Sequence, residues 1–270
     1  MIPIPSTPSQ VAAPPWSSWE KWLQSPPGRY VLQWEQLCFD RIVADVFGFH
    51  AVQIGLPQIN ALSENRMPLQ ALLIHTQDHQ EQARRFAWHL IAGNPSQLPF
   101  ANESIDLLVL PHVLEFAPDP HQVLREAERV LRPEGRLIIS GFNPASLWGL
   151  RQYISRLIGT PYLPRDGQFI GLLRIKDWLQ LLNFSLDRGH FGCYKLPLSS
   201  QSGMARMDFM EKMGNRWWPI FGAVYLVSAI KRQPGVHLIG RIQTKRLPVI
   251  PQLSPAAERN QLQSGQDQVN

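Results

Sequence analysis

The sequence predicts an α/β fold in which a mainly parallel sheet carries helices on both faces. Short apolar runs rich in β-forming residues recur along the chain, at 51–56, 71–76, 105–110, 136–140 and 223–230. Helical patterns lie between several of these runs, and such alternation is typical of a parallel sheet. With 270 residues, 44% of them hydrophobic, the chain can bury one sizeable core.

The clearest helix of this pattern begins at Asp119, whose carboxylate can accept hydrogen bonds from first-turn amides. Pro120 suits the first helical position because that position needs no amide donor. Apolar residues then recur at helical spacing and form one stripe, namely Val123, Leu124, Ala127, Val130 and Leu131. Pro133 and Gly135 are expected to end the helix before the strand at 136–140.

Four segments are expected along the chain. Residues 1–15 contain five prolines and no charged side chain, and are expected to be disordered. An N-terminal helical segment follows at 16–49, and the main α/β domain, which also has a weaker strand at 89–94, covers 50–232. The tail, 233–270, is basic and then polar, and is expected to be largely disordered.

The net charge of +5 is spread unevenly, because residues 231–246 carry five basic side chains and no acid. Such a cluster can contact RNA or another anionic partner. A solvated basic face is the simpler interpretation, since no aromatic stacking pattern accompanies the charges.

No targeting or membrane-spanning segment is expected from the pattern. The longest apolar run, 217–230, is shorter than the roughly 20 residues that a membrane span needs. The first residues have no basic, apolar signal-peptide pattern. Two distant cysteines, Cys38 and Cys193, fit a reducing compartment better than a disulfide scaffold. We therefore expect a cytoplasmic protein.

The block from Gly93 to Phe142 carries several short motifs in a fixed order. They are LPF at 98–100, ID at 105–106, HVLE at 112–115 and REAERVLRPEG at 125–135. Together they resemble the type 11 group of class I S-adenosylmethionine-dependent methyltransferases, and the resemblance extends over about 50–232. The stretches 141–151 and 174–186 are similar to an uncharacterised bacterial subgroup of that family.

This resemblance implies a seven-stranded, Rossmann-like sheet, mostly parallel, whose last strand is antiparallel. It makes 50–232 a methyltransferase-like domain that binds S-adenosylmethionine at the carboxyl ends of the strands. The positions implied to line the cofactor site are Gly55, Asn94, Leu110, Pro111 and His112. Asn94 stands where the family has an aspartate that contacts adenine, so it keeps an acceptor without the charge.

The loop after the first strand departs from the family pattern of an acid followed by G-x-G-x-G. The aligned residues are Gln53, Gly55, Pro57 and Ile59, so that one glycine remains. Proline has no amide hydrogen, and a β-branched residue resists the positive φ that glycine tolerates. The family's ribose-binding acid at the end of the second strand is also missing, since Asp78 comes a residue or two late.

His112 is the weak candidate for a catalytic residue, and no other catalytic group is assigned. With Glu115 it follows the fourth strand, where it can contact substrate or remove a proton from a nucleophile. The alternative is that both residues cap the next helix or contact backbone. Asn143 and Pro144, after the fifth strand, could line the substrate side or simply form a turn.

Two further groups of residues have both a functional and a purely structural interpretation. His75, Asp78 and His79 have the spacing of metal ligands, but no further ligand lies near in sequence, so a polar turn is preferred and no metal is expected. Five tryptophans flank the core and favour a lid or packing surface, with an apolar substrate or a membrane surface as the other readings; they are Trp16, Trp19, Trp22, Trp217 and Trp218.

The leading hypothesis is a methyltransferase that transfers a methyl group from S-adenosylmethionine to an unknown acceptor, which can be a small molecule or a macromolecule. The alternative is a non-catalytic binding or scaffold protein on the same fold, which has lost the cofactor clamp. The cofactor pocket distinguishes the two hypotheses. If the Pro57 and Ile59 side chains fill the cofactor volume, the scaffold is favoured, and an open cavity there counts against it.

Overall fold

A computed structural model describes residues 16–74, 89–158, 162–163, 167–197 and 207–233. Its strands are β1 His50–Ile54, β2 Leu69–Ile74, β3 His89–Ala92, β4 Ile105–Pro111, β5 Leu131–Phe142, β6 Phe184–Gly192 and β7 Val224–Lys231. Its α-helices are α1 Trp16–Leu23, α2 Pro26–Val43, α3 Val113–Phe116, α4 Pro120–Val130, α5 Leu147–Ile158, α6 Leu172–Leu181 and α7 Asp208–Trp217, with a 3₁₀ turn at Pro219–Phe221.

The strands form one seven-stranded sheet in the order β3-β2-β1-β4-β5-β7-β6. Six strands run in the same direction, and β7 runs antiparallel to both β5 and β6. The order turns back at β1, so that β1 lies between β2 and β4, and open α/β sheets bind ligands at the carboxyl ends of such neighbouring strands. The predicted fold class is confirmed.

Each face of the sheet is covered by different segments. On one face, α4 and α6 pack against strand residues such as Val52 and Leu108. On the other face, α2 packs through Phe39 and Ile42 against residues such as Val109. The central strands β1 and β4 are therefore buried on both sides, which explains their almost unbroken apolar character.

No helix occurs between β1 and β2 in this structure, although parallel strands are usually joined by one. The connecting segment, 55–68, consists of turns and adds Ile59, Leu62 and Met67 to the core that α2 covers. The N-terminal helix α2 thus occupies the face that a β1–β2 crossover helix would cover. This arrangement explains how the chain departs from the glycine-rich turn without losing its core.

The predicted start of α4 is confirmed, since the Asp119 carboxylate accepts a hydrogen bond from the Gln122 amide at 3.1 Å. The helix ends earlier than predicted, at Val130, because Leu131 already pairs with Ile105 of β4. The strand β6 lies outside the predicted apolar runs. It is the edge strand and most of its residues are exposed or half-buried, so its apolar content is low.

Parts of the predicted tails lie outside the described residues, namely 1–15 and 234–270. At the start of the basic stretch, the Lys231 ammonium is buried against the carboxylate of Glu128 at 3.0 Å, and Arg232 pairs with Glu134. RNA contact through 231–246 stays a prediction. Within the described part of the chain, no helix combines the length and the hydropathy that crossing a membrane requires.

Candidate active site at the carboxyl ends of the central strands

Gln53, the last-but-one residue of β1, organises the loop that follows it. Its side chain is fully buried, and its Nε2 donates to the carbonyl oxygens of Gly55, Leu56 and Ile59 at 3.0–3.1 Å. Its Oε1 accepts from the Ala61 amide at 2.9 Å. An acid at this position could accept from the amide but could not donate to the carbonyls. Gln53, which stands where the resemblance implies an acid, therefore holds the loop from inside.

The amide hydrogens of this loop are largely directed at the chain itself. Gly55 donates to the Leu73 carbonyl at 2.8 Å, and Ile59 to the Leu56 carbonyl at 3.2 Å. The Asn60 amide donates to the Gln36 side chain at 3.2 Å, and Pro57 has no amide hydrogen. The amides of Gly55, Ile59 and Asn60 are consequently not available to a ligand in the way that the free amides of a glycine-rich turn are.

The carboxyl ends of β1 and β4 hold three backbones with positive φ. They are Gly55 at 68°, Leu56 at 43° and His112 at 53°. Non-glycine residues seldom adopt such angles, and they cluster at functional sites. A Cβ placed on Gly55 would meet only the Val113 side chain, at 3.4 Å, so the space beside this glycine is nearly open.

A Cβ built on Gly55 would meet neither Pro57 nor Ile59 within 4 Å. Both are buried, and Ile59 packs in the cluster with Phe39 and Ile42 of α2, on the other side of the loop. The space beside Gly55 is therefore not filled by the residues that replace the family's second and third glycines.

The remaining positions implied for the cofactor lie at the neighbouring strand ends. Asn94, two residues after β3, is exposed, and its Oδ1 accepts from the Ser96 amide at 2.9 Å. Its Nδ2 has no partner among the described residues and is free to donate outward. Leu110 is fully buried in the core, and Pro111 ends β4 beside Ser140 of β5, so these two can offer only backbone to a ligand.

His112 joins helix α2 to the end of β4 through a buried ionic cluster. Its Nε2 lies 2.9 Å from the Glu35 Oε1, and its Nδ1 lies 2.7 Å from the Glu115 Oε2. The first pair is close enough for an ion pair but is not aligned as a hydrogen bond. The other Glu115 oxygen accepts from the Phe142 amide at the end of β5. Three segments of the chain are thereby tied together at one point.

The cluster keeps its histidine charged. Burial by itself lowers the pKa of His112, but the carboxylates of Glu35 and Glu115 outweigh it and raise the pKa to about 10. Burial also raises the pKa of the Glu115 carboxyl. A charged imidazole with both nitrogens engaged is a poor proton acceptor, so this geometry makes His112 a positioning residue rather than a general base.

Aromatic rings from the N-terminal helices cover this cluster. Trp19 of α1 is 3% exposed, and its ring centroid lies 4.9 Å from that of His112 and 5.6 Å from that of Phe142. Trp22 stacks on Trp19 at 5.2 Å and contacts Phe142 edge-on. These two tryptophans are a packing surface over the ends of β4 and β5, while the side chain of Trp16 is not described.

A cavity of about 980 Å³ lies next to this aromatic cover, after β5. Pro144 lines it, whereas Asn143 is buried and donates to the carbonyls of Ile220 and Gly222 at 2.8 and 3.0 Å. Most of the other lining groups are apolar and come from α5, α7 and the 3₁₀ turn. Asn143 thus shapes the turn after β5, and Pro144 faces the cavity.

The predicted metal-like group falls outside the described residues, since His75, Asp78 and His79 all lie within 75–88. Within the described part of the chain, no three His, Cys, Asp or Glu side chains are arranged so that they could hold a metal ion. The position of the missing ribose acid also falls within 75–88, so the ribose end of the site stays a prediction.

Comparison with known proteins agrees with this geometry. Residues 68–139 match a family described as a methyltransferase domain. The Escherichia coli protein YafS, itself uncharacterised, is 34% identical over 208 residues, which cover 77% of this chain and 78% of that protein. A demethylmenaquinone methyltransferase from Listeria welshimeri is 40% identical over 92 residues, or 34% of this chain and 39% of that enzyme.

The fold is shared with solved methyltransferases. A crystal structure of an S-adenosylmethionine-dependent methyltransferase from Thermotoga maritima superposes with a TM-score of 0.59 at 17% identity, over 80% of this chain and 95% of that one. The sheet order and the site at its carboxyl edge therefore define a class I methyltransferase fold. The chain belongs to the type 11 group of S-adenosylmethionine-dependent methyltransferases.

The described residues fit that cofactor in part. The open space beside Gly55 and the exposed side chain of Asn94 suit a nucleoside that lies across β1 and β3, although the Asn94 Oδ1 that the resemblance assigns to adenine already accepts from the Ser96 amide. The amides of Ile59, Asn60 and Ala61 do not fit, because they already donate within the chain. If the cofactor binds here, its amino-acid end has to be held by other groups.

Proposed function

We propose that this chain is a cytoplasmic methyltransferase that binds S-adenosylmethionine between Gly55, Asn94 and Val113 and transfers its methyl group to an acceptor. The observation that carries the proposal is the open space beside Gly55, within 4 Å of which neither Pro57 nor Ile59 lies. Family membership supports the cofactor, and the cavity after β5 gives an acceptor a place to approach.

The bound cofactor supplies a methyl group on a sulfonium, and its leaving group is neutral, so the reaction depends mainly on orientation and on excluding water. The chain's own residues can meet both needs. Glu35, His112 and Glu115 fix the relative positions of α2 and the ends of β4 and β5. Trp19 and Phe142 exclude water from that point.

Calorimetric titration with S-adenosylmethionine and S-adenosylhomocysteine tests the proposal. The wild-type chain is expected to bind both, and Gly55→Val is expected to lose binding because its side chain enters the open space. Val113→Phe fills the same space from α3 without altering a residue of positive φ, and is expected to lose binding as well. Gly189→Val is the matched control, since Gly189 is exposed on the edge strand β6 and far along the sheet.

A wild-type chain that is folded and gives no heat with either ligand would contradict the proposal. It would favour the second candidate, a non-catalytic methyltransferase-fold protein. One observation supports that alternative, namely that the Gln53 side chain already donates to three carbonyl oxygens of the loop and accepts from the Ala61 amide, so these groups are not available to a ligand. Binding that survives both Gly55→Val and Val113→Phe would place the cofactor elsewhere.

A further inference from the structure

Helix α5 exposes an apolar face that no other described segment covers. Leu147, Leu150, Ile154 and Ile158 are 49%, 55%, 46% and 73% exposed. Their spacing places them on one side of the helix, whereas Trp148 on the opposite side is buried in the core. A helix that is apolar toward both the core and the outside contacts a second apolar partner.

Helix α7 and the turn after it expose a second apolar surface. Phe209, Met213 and Trp217 recur every fourth residue and are 59%, 44% and 68% exposed. The exposed large side chains continue directly beyond the helix, with Trp218, Ile220 and Phe221. Tryptophan is costly to leave in water, yet it is favoured where a surface meets the headgroup region of a membrane.

The two surfaces face the same cavity. Residues from both sets line it, including Leu150 of α5, Phe209 and Met213 of α7, and Phe221 of the turn. The exposed groups therefore form one continuous region around the mouth of a mostly apolar cavity of about 980 Å³. We name this region, made of the exposed side chains of 147–158 and 209–221, the apolar rim.

The charge of the rim is basic. Helix α5 has no acidic residue; its half-buried Arg151 lies over the Tyr162 ring at 4.1 Å, and its Arg156 is exposed and donates to the Gly167 carbonyl at 3.0 Å. Arg216 is exposed at the end of α7. The Glu211 carboxylate of α7 is turned inward. It accepts hydrogen bonds from the Tyr30 hydroxyl and from the backbone amides of Cys193 and Tyr194. Apolar groups interleaved with arginines, on helices that lie along a surface, are typical of proteins that bind anionic membranes.

We propose that the apolar rim docks the chain on the surface of an anionic phospholipid bilayer, with the cavity mouth facing the lipid. The side chains of α5 and α7 would enter the headgroup region, and Arg151 and Arg216 would lie among lipid phosphates. A ligand of this cavity would then come from the bilayer and be lipid-like. Docking does not depend on the proposed methyl transfer.

The charges disfavour two other occupants. In a two-fold dimer built on this rim, the same patch faces itself, so that Arg151 and Arg216 of one copy approach those of the other. The chain's own tail is also basic where it leaves the domain, with Arg241, Lys245 and Arg246 and no acid before Glu258. An anionic bilayer, by contrast, has a charge opposite to that of the rim.

Vesicle co-sedimentation of the full chain tests docking. The wild-type protein is expected to bind phosphatidylcholine vesicles that contain phosphatidylglycerol, and to bind pure phosphatidylcholine vesicles much more weakly. The double variant Ile158→Glu/Trp217→Glu changes one exposed residue on each helix and none that lines the cavity. Its partition coefficient is expected to fall by at least about tenfold, because apolar contact is lost and negative charge is added.

The matched control is Phe47→Glu/Leu181→Glu, two residues that are 78% and 81% exposed outside the rim. It should bind vesicles as the wild type does. Absence of vesicle binding by the wild type, or equal loss in both double variants, would overturn the proposal. So would a wild-type dimer, seen by sedimentation velocity, that becomes monomeric only in the rim variant. Cofactor titration of the rim variant is a separate readout, so failed docking and failed methyltransferase function are distinguishable.

Discussion

At the scale of single residues, Gln53 decides how the loop after β1 is built. Its carboxamide is both the donor to three carbonyls and the acceptor from one amide, all within the loop it holds. A buried polar group contributes to stability when each hydrogen bond is made and costs free energy when one is missing. The loop therefore keeps its shape by side-chain hydrogen bonds, where the family uses glycine.

The substitution Gln53→Glu tests this role. A buried carboxylate would face three carbonyl oxygens without a donor, and we expect the free energy of unfolding to fall by about 3 kcal/mol at neutral pH. Part of the loss should return in acid, when the carboxyl becomes protonated and can donate. Urea denaturation measures the change, with the exposed Gln33→Glu as control. Equal stability of the two variants at neutral pH would refute the role given to Gln53.

The buried His112 makes a second prediction, on pH. Because its pKa is about 10 in the folded chain and near 6.5 when unfolded, the charged form stabilises the fold fully below pH 6.5. That contribution is lost as the pH rises toward 10, by up to about 1.4 kcal/mol per pH unit. Denaturation curves across this range should show the decline in the wild type.

The matched variant for this prediction replaces the whole cluster by Glu35→Gln, His112→Gln and Glu115→Gln. With three neutral amides, the unfolding free energy should change less with pH over the same range, and the other alkaline groups of the chain are common to both proteins. Identical pH profiles would show that the His112 cluster is not charged as described.

At the scale of elements, helix α1 contributes to the fold mainly through its tryptophans. Trp19 lies between Phe116, His112 and Phe142, where it joins the N-terminal helices to the ends of β4 and β5. Trp19→Ala is expected to lower the free energy of unfolding by about 3–5 kcal/mol, because a large buried ring leaves a cavity. Trp217→Ala, at a 68% exposed position, is expected to change it by less than about 0.5 kcal/mol. Comparable losses in both would contradict the packing described.

The elements that could be predicted from the sequence are those whose burial gives a strong pattern. The strands β1, β4 and β7 are apolar along most of their length because both of their faces are covered. The helix α4 could be placed to its first residue because Asp119 and Pro120 determine its start. The edge strand β6 could not, since its exposed side chains, such as Ser185 and Arg188, give no apolar alternation.

The candidate site was less predictable for a physical reason. The family resemblance implies an acid where Gln53 stands, but only the folded loop shows which carbonyls lie within reach of its side-chain amide. Likewise, the pairing of His112 with Glu35 joins residues far apart in the chain, and no local spacing indicates it. The signal that could have pointed to Glu35 is its own position, a charged residue among the apolar ones of an amphipathic helix.

At the scale of the whole molecule, three regions lie side by side along the carboxyl edge of one sheet. Gly55 and Asn94 border the space proposed for the cofactor, and the aromatic cover with the His112 cluster closes the ends of β4 and β5. The cavity beyond β5 opens between the exposed faces of α5 and α7. In this arrangement, an acceptor that enters from a membrane surface would reach the sheet edge from the side opposite the cofactor.

The most direct test of the proposed cofactor site is a crystal structure of the protein grown with S-adenosylhomocysteine. We predict density for the ligand beside Gly55 and Val113, with the Asn94 amide at its base and the loop still held by Gln53. Ligand density only in the cavity between α5 and α7, or an empty space beside Gly55 at saturating ligand, would contradict the proposed site.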